Sequence, residues 1–117
     1  MNQFKIHELL PIDKDVYLQQ ADYVDYDTSI MSGGFQRVQS YKNLSAFGVA
    51  IMPHLIQDLR IDPDWWRVQM VSEIAARDFS QNVLIARDIR GQLLPVRSAY
   101  IRWWNNFVRE AMFDELV

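Results

Sequence analysis

Residues Ile61 to Met70 read IDPDWWRVQM, the clearest helix start in the 117-residue chain. Asp62 suits the N-cap, where a carboxylate accepts a backbone N–H that has no partner inside the helix. Pro63 suits the first helical position, where a missing N–H costs nothing. Asp64 sits near the positive end of the helix dipole. The helix is expected to run from Pro63 to about Phe79, with Glu73 and Arg77 at an (i, i+4) spacing that supports it.

Two tryptophans stand side by side in this helix. Successive helical residues point about 100° apart, so Trp65 and Trp66 cannot share one narrow stripe. On a helical wheel Trp65, Val68, Val71, Ala75 and Phe79 form one apolar arc, an ordinary core face. Trp66, Met70 and Ile74 form a second row, set apart from the first by Arg67 and Gln69. A helix that is apolar on two faces is either sandwiched within its own domain or shows one face to a partner. The second choice makes Trp66, Met70 and Ile74 candidate partner-binding residues.

The other tryptophan pair lies in a final helix opened by Pro95 and running nearly to the C-terminus. Tyr100, Trp103, Trp104, Phe107, Val108, Ala111 and Met112 share a broad apolar half-cylinder, into which Arg97 also projects. The opposite side reads Ser98, Arg102, Asn105, Arg109. Arginine and asparagine are residue types that contact phosphates or a partner's carboxylates. Arg102, Asn105 and Arg109 are therefore partner-binding candidates, with a plain solvated stripe as the alternative.

Between and before these helices the signals are weaker. A helix is expected from about Lys14 to Tyr26, capped by Asp13. Gly33 and Gly34 break the segment after it, and the flanking residues are expected to pair as a small β-hairpin near residues 28–41. Asn43 to Leu59 is apolar almost all round and fits a buried helix that Pro53 kinks or restarts. Ser80 could cap a short helix reaching Arg90 and closed by Gly91, although Val83 to Ala86 also suits a buried strand. The sum is one mainly α domain over residues 1–117, a compact bundle of four or five helices.

Composition excludes more than it assigns. Half the residues are apolar and the net charge is −3. No run of about 18 uncharged apolar residues exists, so no membrane span is expected. No secretory signal stands at the N-terminus, and a cytoplasmic protein, or one assembled into a particle inside the cell, is the expectation. Cysteine is absent, His7 and His54 have no metal-binding spacing, and neither a metal nor a cofactor is expected. Residues 1–30 hold six acids against Lys5 and Lys14, whereas residues 84–109 hold five arginines against Asp88. Such an acidic head and basic tail attract each other within the fold or between copies.

Nucleophile elbows, phosphate loops and calcium loops are missing, no nucleophile–base pair can be assembled, and an enzyme is not expected. The acidic run Asp22, Asp25, Asp27 lacks the spacing of a calcium loop. The stretch EIAARDFSQNVLIARDIRG faintly resembles a degenerate helix-turn-helix, which would place Arg87 and Arg90 on a nucleic-acid backbone. Net acidity weighs against that reading. The segments Leu59-Arg60-Ile61-Asp62 and Ile74-Ala75-Ala76-Arg77-Asp78-Phe79 together resemble the opening of head–tail connector (adaptor) proteins of tailed phages. That resemblance covers about a fifth of the chain and lies mid-chain rather than near the start. It implies a small helical subunit that assembles into a larger particle and does no chemistry. The expected function is accordingly a non-catalytic assembly or interaction protein with a protein partner, self or other; a nucleic-acid-binding regulator is the alternative.

Overall fold

The structure, a computed structural model, describes residues 9–31 and 33–116. Among these residues five α-helices make up the fold: α1 (Lys14–Ser29), α2 (Gln39–Ser45), α3 (Met52–Ile61), α4 (Trp65–Asp78) and α5 (Leu93–Leu116). Short 3-10 turns at Phe35–Arg37, Gly48–Ile51 and Arg87–Ile89 join them. This is the mainly α bundle that the periodicities predict. No described helix is long and apolar enough to cross a membrane.

Helix α1 begins where its cap signal lies: the Asp13 side chain accepts the Asp15 N–H at 2.8 Å. The hairpin expected near residues 28–41 is not there. Helix α1 continues to Ser29, and a 3-10 turn and then α2 occupy Phe35–Ser45; Ser32 lies outside the described residues. The expected Asn43–Leu59 helix is divided. Gly48 adopts φ +60°, a left-handed conformation that favours glycine, and α3 restarts with Pro53 in its first turn. Because α3 runs on to Ile61 and uses Asp62 as its C-cap, the next N-cap falls two residues later than expected. Asp64 accepts the Trp66 N–H at 3.2 Å.

Helix α4 is the centre of the core. Through Trp66 and Arg67 it reaches Asp25 on α1, through Glu73 it reaches Tyr41 on α2, and Arg67 also bonds Asp58 on α3. Its C-terminal Phe79 meets Trp104 and Phe107 of α5 edge-on, with ring centroids 5.7 and 5.3 Å apart. Apart from Trp65, both apolar rows of the wheel are consequently consumed inside the chain. Trp66, Met70 and Ile74 are fully buried, at 0% exposure each, which corrects their assignment as partner contacts. Trp65, expected in the core row, is the outward member of its pair at 38%. Each fully buried aliphatic side chain of this core contributes about 1.5–3 kcal/mol.

Residues 80–86 form neither the expected helix nor a strand. Ser80 takes a positive φ of 55°, and the Gln81 N–H folds back onto the Ala75 carbonyl at 2.9 Å, so the chain turns away from the helical path. The second helix of a helix-turn-helix is thus missing. Arg87 lies in a 3-10 turn, and the Arg90 Nε donates to the Ile85 carbonyl at 3.2 Å.

Candidate docking site

A buried ion cluster fixes how the helices stand. Arg67 is only 2% exposed, and its guanidinium fork bonds both Asp25 oxygens, at 2.8 and 2.9 Å. Its Nε donates to Asp58 Oδ2 at 2.8 Å, and Asp62 and Asp64 approach at 3.4 and 3.8 Å. Tyr17 Oη donates to the same Asp58 oxygen, and Trp66 Nε1 to Asp25 Oδ1, each at 2.8 Å. Burial alone would lower the pKa of Arg67. The hydrogen bonds and charges of Asp25 and Asp58 outweigh it and raise the pKa above the ordinary arginine value. The cluster is saturated with internal partners. It sets the frame rather than offering a binding surface.

That frame leaves a groove between the end of α3 and the first half of α5. Its lining is Arg60, Arg97, Ser98, Ile101, Arg102 and Asn105, and its volume is about 380 Å³. Arg60 Nη2 donates to Asn105 Oδ1 at 3.1 Å, and Arg97 Nη1 donates to the Arg60 carbonyl at 3.4 Å, so the two helix ends are laced together. Arg97 Nε is buried without a hydrogen-bond partner. Among the described residues the ion pairs belong to Arg67 and Arg77, and no carboxylate lies within 4.0 Å of the Arg60, Arg97 or Arg102 guanidinium.

Three guanidiniums, a carboxamide and a hydroxyl over an aliphatic floor are a donor set of the kind that suits an anion. Guanidinium is donor-only and permanently charged, and its planar fork matches carboxylate or phosphate. Like charges gathered without counter-charges repel one another, and an arriving anion relieves that repulsion. Ser98 brings a hydroxyl to the groove, but no histidine or carboxylate is among the lining residues to serve it as a general base. Among the described residues no three histidine or carboxylate side chains are placed to hold a metal ion.

The sequence stripe Ser98, Arg102, Asn105, Arg109 faces solvent along α5. Arg102 and Asn105 enter the groove, while Arg109 lies a turn further on and donates to Asn106 Oδ1 at 2.8 Å. Arg60 and Arg97 are the members that the sequence did not single out for this site. Arg60 belongs to a different helix, and its register beside α5 follows from packing alone. His54 is a satisfied structural histidine, its Nε2 donating to the Ile12 carbonyl at 2.6 Å. Comparison of the chain with protein-family models, with curated proteins and with solved structures finds no match in any of the three.

Proposed function

We propose that the chain is a non-catalytic interaction protein, a subunit of a larger complex, that docks an acidic helical segment of a protein partner in the α3–α5 groove. The observation that carries this reading is the convergence of Arg60, Arg97 and Arg102 with no carboxylate among the described residues to neutralise them. The Ile101 floor and the exposed apolar ends of the α5 face, Leu94 and Met112, favour an amphipathic helix over a bare polyanion. Duplex nucleic acid is disfavoured by the net charge of −3 and by the absence of a helix at residues 80–86 to carry Arg87 and Arg90.

Fluorescence anisotropy tests the reading with two probes at matched ionic strength. One is a labelled helical peptide built from glutamate and leucine heptads; the other is a labelled DNA duplex. The peptide is expected to bind, and Arg60→Glu/Arg102→Glu to abolish that binding while the circular dichroism spectrum stays unchanged. Salt-sensitive binding of the duplex through the same arginines, with no binding of the peptide, would overturn it.

A further inference from the structure

We infer that the segment which fits the groove is helix α1 of a second copy of this chain, joined head to tail. On α1, Val16, Gln19, Tyr23 and Tyr26, continued by Ile30 just past its end, repeat at alternating spacings of three and four residues. That is the spacing of a helix–helix seam. All five face solvent, with Val16 at 42%, Tyr23 at 51%, Tyr26 at 68% and Ile30 at 69% exposure. Among the described residues none buries this row, and α1 turns its other face, Tyr17, Ala21 and Val24, into the core. Asp15 and Asp22 flank the seam on one edge and Asp27 on the other, and none of the three has a basic partner among the described residues.

Helix α5 offers the counterpart. Leu94, Ser98, Ile101, Asn105, Val108 and Met112 follow the same alternation, from Leu94 at 54% exposure to Met112 at 52%, with Ile101 and Val108 half-buried. Arg97, Arg102 and Arg109 flank this row, and Arg60 adds a fourth cation from α3. The dimensions agree: at 1.5 Å per residue, 16-residue α1 is about 24 Å long and the α5 row about 27 Å.

Charge then selects the pairing. Two α1 seams would set aspartates against aspartates, and two α5 rows would set arginines against arginines. Only α1 against α5 brings acid to arginine. Such a contact uses two different patches, so it is heterologous and propagates into a ring or a filament rather than stopping at a symmetric dimer.

This self-docking rests on the groove being an acidic-helix site, and sedimentation velocity on the full chain tests the two separately. The wild type is expected to form species larger than a monomer at low salt and to dissociate as salt screens the contact. Arg60→Ala/Arg102→Ala and Asp22→Asn/Tyr26→Ala alter exposed side chains and should each sediment as a folded monomer. Mixed in equal amounts, they should give a discrete dimer, because one intact α1 and one intact groove remain. A mixture that stays monomeric would overturn the inference. So would persistent dimers of the arginine variant alone, which would signal a symmetric α1 contact. A wild type monomeric up to about 1 mM, the weak end of specific association, would overturn it as well; if the glutamate–leucine peptide still bound, the groove's chemistry would stand without the self-docking.

Discussion

Arg67 and Asp25 face each other fork to fork across 42 positions of sequence, Nη1 to Oδ1 at 2.8 Å and Nη2 to Oδ2 at 2.9 Å. The pair joins the first long helix to the central one at a depth where Arg67 is 2% exposed. Two parallel charge-assisted bonds fix direction as well as distance. Asp58 takes the Nε–H, so each of the three guanidinium nitrogens donates to a carboxylate. Trp66, the neighbour of Arg67, donates its indole N–H to Asp25, so one carboxylate orients both side chains.

Removing that guanidinium should be costly. Arg67→Met is expected to lose about 3–5 kcal/mol, the usual effect of stripping one partner from a buried ion pair. Arg67→Lys should recover only part of the loss, because an ammonium has no fork. Urea denaturation of the three proteins gives the comparison. A methionine variant as stable as the wild type would show that Asp25 and Asp58 hydrate without loss.

Alkaline pH should weaken the fold through two phenols. Burial, then the charge and the hydrogen bond of Asp58, raise the pKa of Tyr17 above its ordinary 10.0. Burial, then the hydrogen bond and the charge of Glu73, do the same for Tyr41. The unfolded chain therefore loses these protons near pH 10 while the folded chain keeps them. The stability they support is complete below about pH 10 and falls as pH rises beyond it. Thermal melts between about pH 8 and about pH 11 should show Tm declining at the upper end. Tyr17→Phe/Tyr41→Phe should decline less steeply, and parallel slopes would count against the assignment.

The adjacent tryptophans should differ sharply. Trp66→Ala opens a cavity in the core and deprives Asp25 of a donor, an expected loss of about 3–5 kcal/mol. Trp65→Ala, at a position 38% exposed, should cost about 1 kcal/mol or less. Equal losses in chemical denaturation would contradict the placement of the two rings.

What could be read in advance was what neighbouring residues determine. The Asp13 cap and the α5 stripe Ser98, Arg102, Asn105, Arg109 follow from a local hydrogen bond and a helical period, and both stand where the sequence puts them. The Trp66 row was ambiguous because a wheel shows that a face is apolar and not what covers it; Asp25 of α1 accepts from the Trp66 indole, and all three side chains of the row are fully buried. Arg67 looked like a polar spacer, since a charged residue is almost never fully buried unless paired. Its partners are separated from it by 42 and 9 residues, beyond any local pattern. The groove was half legible for a similar reason: Arg60 and Asn105 lie 45 residues apart and meet only when α3 packs on α5. Ser80 reads in the sequence as a helix cap rather than a turn, because a serine with positive φ carries no composition signal of the kind a glycine gives.

The anchoring of a single guanidinium by both Asp25 and Asp58 also bears on how the molecule opens. With α1 detached, α4 and α3 would retain a dehydrated cation holding half its compensation; with α3 detached, α1 and α4 would be left in the same position. Partial release is penalised from either direction. The three helices therefore behave as one cooperative unit, whose amides should exchange hydrogen together and at the slowest rate in the chain.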